Sequence, residues 1–195
     1  MRFKIKLKLD TLLLCDVAEK TSSIVNKILG VNHKWHDLER KPYTCSFILG
    51  GKNEGKSLSF KNGGYFYFNS EDKEVIDAVM KVKDIEFSIE TPKIFNGYNL
   101  LSVKRVIYNT EGKKVWVTES NKSNFESYLK LKYGVDVKIL KINNTTVHYK
   151  NNTILDVSDL LIKCDNNKNV ANLFESGVGG SCSIGFGFVE TINKN

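Results

Sequence analysis

The order of its predicted helices and strands places this 195-residue chain in the α+β class, as tandem ferredoxin-like (RRM-like) domains with the order β-α-β-β-α-β repeated. Three observations predict this class. Residues 2–9 alternate between apolar and basic side chains, residues 17–29 carry apolar side chains at helical spacing, and the order of patterns starts again after NTEGKK, residues 109–114. The length suits two small domains, which we expect at residues 1–110 and 111–195.

In the first half, each element has a local signal. The alternation over residues 2–9 predicts a strand with one buried face and one positively charged face. The helical pattern over residues 17–29 ends before Gly30, a residue typical of helix C-termini. A second helix is expected over residues 70–83, with Ser70 as its N-cap. Runs rich in aromatic and β-branched residues predict further strands at residues 43–49, 58–68, 85–90 and 100–108.

The second half repeats this order after the turn in NTEGKK. The expected elements are a strand, a helix, the two strands of a hairpin, a short helix and a closing strand, at residues 115–119, 124–134, 135–142, 146–155, 170–174 and 184–192.

Composition indicates the class of partner. The net charge of +7 favours an anionic partner, most often nucleic acid or a membrane surface. No apolar run reaches about 18 residues, and no apolar stretch follows the first methionine, so we expect a cytoplasmic protein with no membrane partner. The four cysteines lack C-x-x-C spacing, which predicts reduced thiols and neither a zinc site nor a disulfide framework.

Residues 50–57, GGKNEGKS, have the letter pattern of a phosphate-binding P-loop. A P-loop requires a helix directly after it, because the amides at the helix N-terminus bind the phosphates. Ser57 is instead followed by LSFKNGGYFYFN, which predicts strand and turn. We therefore expect a hairpin loop whose Lys52 and Lys56 contact a nucleic-acid backbone, and keep a nucleotide-dependent phosphotransferase as a minor alternative.

The strongest local signal is GVGGSCSIGFGF, residues 177–188, in which two Gly-x-Gly pairs are separated by five residues. Clustered glycines let the backbone approach a ligand, and free amides can bind phosphate oxygens, although glycines also permit tight turns and close packing. With NLFESGVG before it and an apolar pair after it, this spacing resembles the C-terminal glycine-rich loop of the repeat-associated mysterious protein (RAMP) superfamily of CRISPR systems.

The N-terminal half carries a second part of the resemblance. His36-Asp37 is followed by KPYTCS, residues 41–46, as in the CRISPR repeat-RNA processing endoribonucleases of that superfamily. The resemblance covers nearly the whole chain and implies a tandem ferredoxin-like fold. The S-P pair that often opens the second domain in relatives is absent here.

The resemblance implies metal-independent cleavage of CRISPR repeat RNA to mature guide RNAs, with no cofactor. The 2′-hydroxyl attacks the neighbouring phosphate and leaves a 2′,3′-cyclic phosphate and a 5′-hydroxyl. Histidine, with an ordinary pKa of about 6.5, suits the base, and lysine suits stabilisation of the phosphorane charge. The residues expected to take part are His36 as base, His33 as the second candidate, Lys41 as cation, and Arg40, Lys34 and Tyr43 as helpers.

RNA binding is expected from two groups of residues. The glycine-rich run would contribute Gly177, Gly179, Gly180, Ser181, Ser183, Gly185 and Gly187. Because residues 180–184 contain no Lys or Arg, where many relatives carry one, phosphate contact there would depend on amides and hydroxyls. The basic candidates are Lys52, Lys56, Lys104, Arg105, Lys113 and Lys114, and Tyr65 or Tyr67 are candidates for base stacking.

A non-cleaving RNA-binding subunit of the same superfamily is the main alternative function. Expected partners are repeat RNA, subunits of a CRISPR effector complex and a second copy of the chain.

Overall fold

The computed structural model describes residues 1–38, 41–90, 100–148, 153–164 and 166–191 and divides the chain into two units. The first comprises Met1–Pro92, His148–Ile154 and Ser183–Gly185; the second comprises Lys93–Val147, Leu155–Cys182 and Phe186–Asn195. In each unit, helices contribute to the same apolar core as an antiparallel sheet, which confirms the α+β class. Within the described ranges, no helix is both long and apolar enough to cross a membrane.

The first unit has a main sheet of four strands in the order β3-β6-β1-β7 and a small sheet in the order β2-β5-β4. Its elements are β1 (Arg2–Leu7), β2 (Thr11–Leu13), α1 (Val17–Leu29), β3 (Tyr43–Cys45), β4 (Lys52–Asn53), β5 (Ser57–Ser59), β6 (Gly64–Ser70), α2 (Lys73–Lys81) and β7 (Phe87–Glu90). Without the small sheet, the order along the chain is β-α-β-β-α-β, as in a ferredoxin-like domain.

Burial in the first unit follows the period of the sequence. In β1, Phe3 and Ile5 are fully buried, and Lys6 on the opposite face is exposed. Helix α1 ends at Leu29. The next residue, Gly30, has a φ of +91°, and its backbone N–H donates the last hydrogen bond to the Asn26 carbonyl. The predicted strand and helix are therefore confirmed because local spacing alone determines which face of each is apolar.

The N-cap of α2 differs from the predicted one. Ser70 is the last residue of β6, and its hydroxyl accepts a hydrogen bond of 3.0 Å from the Asp72 amide. The Asp72 carboxylate caps the helix by accepting a 3.0 Å hydrogen bond from Val75. Aspartate at this position also favours the positive end of the helix dipole.

The second unit has a sheet in the order β10-β11-β8-β12, with β9 paired to the far end of β8. Its elements are β8 (Leu100–Thr110), β9 (Lys113–Trp116), α3 (Lys122–Tyr133), β10 (Val137–His148), β11 (Ile154–Cys164), α4 (Asn167–Ser176) and β12 (Phe188–Thr191). Apart from β9, the strands take the same places in this sheet as those of the first unit. Its core includes Leu101 and Val103 of β8 and Phe125 and Leu129 of α3, which are fully buried.

The division between the units differs from the predicted boundary at residue 110. Strand β8, assigned to the first half by its sequence, pairs with β11 and β12 of the second unit. The NTEGKK turn lies inside a hairpin, β8–β9, rather than between domains. Glu111 and Gly112 both have positive φ, +49° and +75°, as in the tight turns that join paired strands. The first strand of the second unit is therefore β8, not residues 115–119.

Candidate functional site

Residues 31–38, here called the histidine segment, follow α1 and form consecutive turns. The His36 amide donates to the His33 carbonyl at 2.9 Å, and the Leu38 amide donates to the Trp35 carbonyl at 3.4 Å. Trp35 is 9% exposed and belongs to the core of the first unit. The indole therefore anchors a segment whose other side chains are exposed, apart from the half-buried His33.

His36 forms a dyad with its neighbour in sequence. Its Nδ1 lies 3.0 Å from Oδ1 of Asp37, and 63% of its side chain is exposed. Because a carboxylate accepts hydrogen bonds, this contact places the proton of a neutral imidazole on Nδ1. The lone pair of Nε2 is then free to accept a proton. The hydrogen bond from His36 lowers the pKa of Asp37, so the carboxylate stays charged. An imidazole with an unprotonated Nε2 and an orienting carboxylate can act as a general base.

His33 lies in an aromatic nook beside the dyad. Its ring centroid is 5.8 Å from those of Trp35 and His36 and 6.0 Å from that of Tyr43. Burial lowers the pKa of His33; the charge of Lys41, and that of His36 when it is protonated, lower it further, against the opposing charge of Asp37. Its buried Nδ1 has no hydrogen-bond partner among the described residues. Since an unpaired buried N–H is rarer than an unpaired acceptor, the favoured tautomer carries the proton on Nε2.

Lys41 holds the histidine segment together from its C-terminal side. Its ammonium donates to the carbonyl oxygens of Trp35 at 3.2 Å, Leu38 at 3.3 Å and His36. The three N–H groups of the ammonium therefore have three backbone acceptors. The ammonium lies beside the backbone of His36, and contact with a phosphate would require Lys41 to exchange one of these hydrogen bonds.

The predicted helpers have different surroundings. Lys34 forms an ion pair with Glu74 and lies 5.2 Å from the centroid of the Trp35 ring. Tyr43 is buried and stacks on Phe68 at 5.2 Å, and burial raises the pKa of its phenol. A core role therefore explains Tyr43. Arg40 lies outside the described residues.

The glycines of residues 177–187, here called the glycine-rich segment, permit close backbone packing. At Gly187, with a φ of +60°, a Cβ would lie 1.9 Å from the Val178 carbonyl oxygen. At Gly179, with a φ of +97°, a Cβ would lie 2.3 Å from the carbonyl oxygen of Ile107 in β8. A side chain cannot be accommodated at either distance, so packing alone accounts for these two glycines.

Several amides of the glycine-rich segment have protein acceptors. Val178 donates to Gly187 at 2.9 Å, Gly180 donates to Ile107 at 2.7 Å, and Gly187 donates to Arg105 at 3.3 Å. The expectation that the run presents bare amides is wrong for these three. The half-exposed part is the tip, Gly180 to Ser183, where Ser181 has a φ of +58° and the Ser183 carbonyl accepts a hydrogen bond of 3.2 Å from the Cys45 thiol.

Lys104 and Arg105 lie at an irregularity in β8 that the sequence does not signal. Arg105 has a φ of +56°, and the pairing of β8 with β11 shifts register between Ser158 and Leu160. The Asp159 carboxylate accepts a 2.8 Å hydrogen bond from the Arg105 amide and lies 3.4 Å from the Lys104 ammonium. Burial lowers the pKa of Arg105, against the opposing effect of Asp159 and Glu190. A carboxylate therefore offsets part of the positive charge predicted here.

The other predicted basic contacts lie on hairpins. Lys52 and Lys56 are exposed on the β4–β5 hairpin, and a strand begins at Ser57. The helix that a P-loop needs is therefore not present after GGKNEGKS. Lys113 and Lys114 are exposed on β9.

The basic alternation of β1 forms one face of the first sheet with tyrosines of β6. The Lys4 ammonium lies 4.3 Å from the Tyr65 ring centroid, and the Arg2 guanidinium lies 5.0 Å from that of Tyr67. Both distances suit cation–π interactions. Burial, then the charge of Glu90, raises the pKa of Tyr67 to about 12, so its phenol stays neutral.

Comparisons with known proteins connect this fold to RNA-associated structures. The chain is similar to solved structures described as a RAMP protein binding different RNA substrates (TM-score 0.75, 18% identity, 99% of this chain and 100% of that chain) and as CRISPR associated protein Cas6 (0.66, 18%, 99% and 99%). A third is the product of a Cas6-related gene from Pyrococcus furiosus (0.63, 17%, 100% and 99%). No protein-family model matches the sequence, and no curated protein sequence is significantly similar to it. The chain therefore has the fold of the Cas6 and RAMP structures, as the resemblance of its sequence implied.

Proposed function

We propose that the chain is a CRISPR-associated endoribonuclease of the RAMP superfamily, which cleaves repeat RNA without a metal ion. The observation that carries the proposal is the His36–Asp37 dyad, with an exposed imidazole whose Nδ1 is 3.0 Å from a carboxylate oxygen. RNA-binding and CRISPR proteins with the same fold support this choice of substrate.

In this mechanism Nε2 of His36 takes the proton of the 2′-hydroxyl next to the scissile phosphate. The 2′-oxygen forms a bond to phosphorus while the bond from phosphorus to the 5′-oxygen breaks, which gives a 2′,3′-cyclic phosphate. Asp37 stabilises the imidazolium that forms, and a proton is delivered to the leaving 5′-oxygen. Because the 2′- and 5′-oxygens lie on opposite sides of the phosphorus in this displacement, water supplies the proton to the leaving oxygen, and the charged His36 releases its own proton to solvent.

The neighbours of the dyad have supporting roles. With its proton on Nε2, His33 is suited to donate a hydrogen bond to a phosphate oxygen. Lys41 supplies positive charge close to the dyad, because its ammonium is bonded to the carbonyl group of His36 itself. Such fixed charge stabilises a phosphorane most when water is excluded around it.

We assign binding of the RNA backbone to the exposed Lys52 and Lys56, to the half-buried Lys104 and Arg105, and to the tip of the glycine-rich segment. The proposed phosphate contacts are Lys52, Lys56, Lys104, Arg105, Ser181 and Ser183, with Gly177, Gly179, Gly180, Gly185 and Gly187 shaping the segment. Affinity should fall as salt rises, because each phosphate contact releases condensed counterions. Subunits of a CRISPR effector complex, a second copy of the chain and a cytoplasmic location stay predictions.

The test is incubation of the protein with its repeat RNA in the presence of a metal chelator. We expect one upstream product with a 2′,3′-cyclic phosphate and one downstream product that a polynucleotide kinase labels directly. His36→Ala should remove most turnover and retain RNA binding, and His148→Ala, which removes an exposed histidine at the end of β10, should keep full activity. Full activity in His36→Ala would refute the assignment.

A non-cleaving RNA-binding subunit is the second candidate, and one observation favours it. The three N–H donors of Lys41 are bonded to backbone carbonyls, so this cation is not ready to bind a phosphate. Tight binding of repeat RNA without any cyclic-phosphate product would support this alternative over the endoribonuclease.

A further inference from the structure

Two tyrosines of α3 hold the glycine-rich segment by the same atom. The phenols of Tyr133 and Tyr128 lie 3.1 Å and 3.5 Å from the Gly179 carbonyl oxygen, to which they donate. The Lys132 ammonium in turn donates to the Tyr128 hydroxyl at 2.8 Å. It also lies over both rings, 5.3 Å from the Tyr128 centroid and 5.6 Å from that of Tyr133. These three side chains form a cluster on one end of the helix.

The core of the second unit keeps this cluster in place. Phe125 and Leu129 of α3 are fully buried, which fixes the rotation of the helix. The Tyr128 ring stacks on Phe125 at 5.7 Å. Residues four apart lie on the same face of a helix, so Tyr128 and Lys132 meet without strain. The ammonium is therefore positioned by contacts rather than free to move with its side chain.

Lys132 supplies a charge that the glycine-rich segment itself lacks. Residues 180–184 contain no Lys or Arg, whereas Lys132 is exposed and separated from the Gly179 carbonyl by one phenol. Among the described residues, Lys132 forms no ion pair with a carboxylate. The carboxylate of Asp136 pairs with Lys130 instead, at 2.8 Å. An exposed ammonium without a carboxylate partner keeps its full charge for an anionic ligand.

We propose that Lys132, positioned by Tyr128, binds a phosphodiester group of RNA at the half-exposed tip of the glycine-rich segment. The ammonium would contact a non-bridging oxygen, with the Ser181 hydroxyl as a second donor from the segment. Lys132 thus replaces, from α3, the cation that the segment does not carry. This inference rests on the proposed RNA-binding function.

The experiment measures the affinity of the full-length protein for repeat RNA at several salt concentrations. Lys132→Gln removes the charge and should weaken binding several-fold near 0.1 M salt. It should also reduce the magnitude of the negative slope of the log association constant against log salt by about 0.7 to 0.9, the value for one lost phosphate contact. Lys132→Arg should retain the wild-type slope. The matched control is Lys138→Gln, an exposed lysine of β10 in the same unit, which should leave affinity and slope unchanged.

The possible failures are distinguishable. If wild-type protein binds repeat RNA and Lys132→Gln keeps its affinity and slope, the inference is overturned while the proposed function stands. An equal loss in Lys138→Gln would also overturn it, since the effect would then be one of net charge. If the wild-type protein does not bind repeat RNA at any salt concentration, both the proposed function and this inference fail. Thermal unfolding of each variant serves as the check that the fold is intact.

Discussion

His36 and Asp37, adjacent in sequence, are joined through their side chains, with Nδ1 of the imidazole 3.0 Å from Oδ1 of the carboxylate. We expect Asp37→Asn to lower the cleavage rate about tenfold at neutral pH and to leave RNA affinity unchanged, because an amide does not stabilise the imidazolium that forms after proton transfer. The effect should be smaller than in buried dyads, since Asp37 is fully exposed and water screens its charge. Single-turnover cleavage of repeat RNA measures it.

Asp77→Asn is the control for this change, because it removes an exposed carboxylate of α2 in the same unit. An equal loss of rate in both variants would attribute the effect to net charge and would contradict a role for the dyad.

His33 should make the stability of the first unit depend on pH. Burial and the charges of His36 and Lys41 lower the pKa of His33 in the folded protein, against the opposing charge of Asp37. The unfolded chain, with a histidine pKa of about 6.5, then binds more protons than the folded one below that pH. Stability from this group is present above about pH 6.5 and is lost as pH falls below it.

The measurement is urea unfolding of wild type and His33→Phe, at about pH 7.5 and about pH 5.5. Phenylalanine keeps an aromatic ring beside Trp35 and Tyr43 but has no proton to bind. We expect wild type to lose more stability on acidification than His33→Phe. The same loss in the two proteins would mean that His33 titrates equally in the folded and unfolded states.

Gly187→Ala should destabilise the second unit strongly. The new Cβ would lie 1.9 Å from the Val178 carbonyl oxygen at a φ of +60°. The left-handed backbone alone costs about 1–2 kcal/mol, and relief of the clash requires the segment to move. Gly112→Ala is the matched control, since its φ is +75° but no atom lies within 4 Å of the added Cβ. If the urea midpoints of the two variants fall equally, the close packing of residue 187 has no energetic consequence.

Local periodicity predicts the helices and strands of the first unit well, but it does not predict where the first unit ends. The helix predicted over residues 17–29 has those bounds, because the spacing of Ile24, Val25 and Ile28 records the buried face. Strand β8 has an equally clear signal, but no local feature says which sheet it joins. Its partners Ser158 to Lys163 lie more than fifty residues away in the chain, so the boundary could not be placed from sequence alone.

Chemistry at the candidate site is less predictable for the same reason. The histidine and lysine residues of the sequence indicate where the candidate site lies. The hydrogen bonds from Lys41 to three backbone carbonyls, in contrast, depend on how the turn closes. The glycines of the glycine-rich segment suit both phosphate approach and close packing, and sequence does not separate the two. At Gly179 and Gly187, the structure shows that a nearby carbonyl oxygen leaves no room for a side chain, so close packing explains these two glycines.

We expect Asp159 to lower the affinity for RNA through its two contacts with β8. Its carboxylate accepts a 2.8 Å hydrogen bond from the Arg105 amide and lies 3.4 Å from the Lys104 ammonium. Asp159→Asn keeps an oxygen that can accept from the amide, and it removes the negative charge beside Lys104. If Lys104 and Arg105 contact phosphates, we expect RNA affinity to rise by up to about fivefold, or about 1 kcal/mol, the upper range for an exposed ion pair. The gain should shrink at high salt, because counterions then screen the freed lysine.

Glu119→Gln provides the comparison, since it removes the same charge from a carboxylate that lies 3.9 Å from Lys122 in the same unit. A matching rise in this variant would assign the gain to net charge. Unchanged affinity in Asp159→Asn, with an intact fold by thermal unfolding, would place Lys104 outside the RNA-binding surface, because freeing a lysine that touches a phosphate must alter the binding free energy.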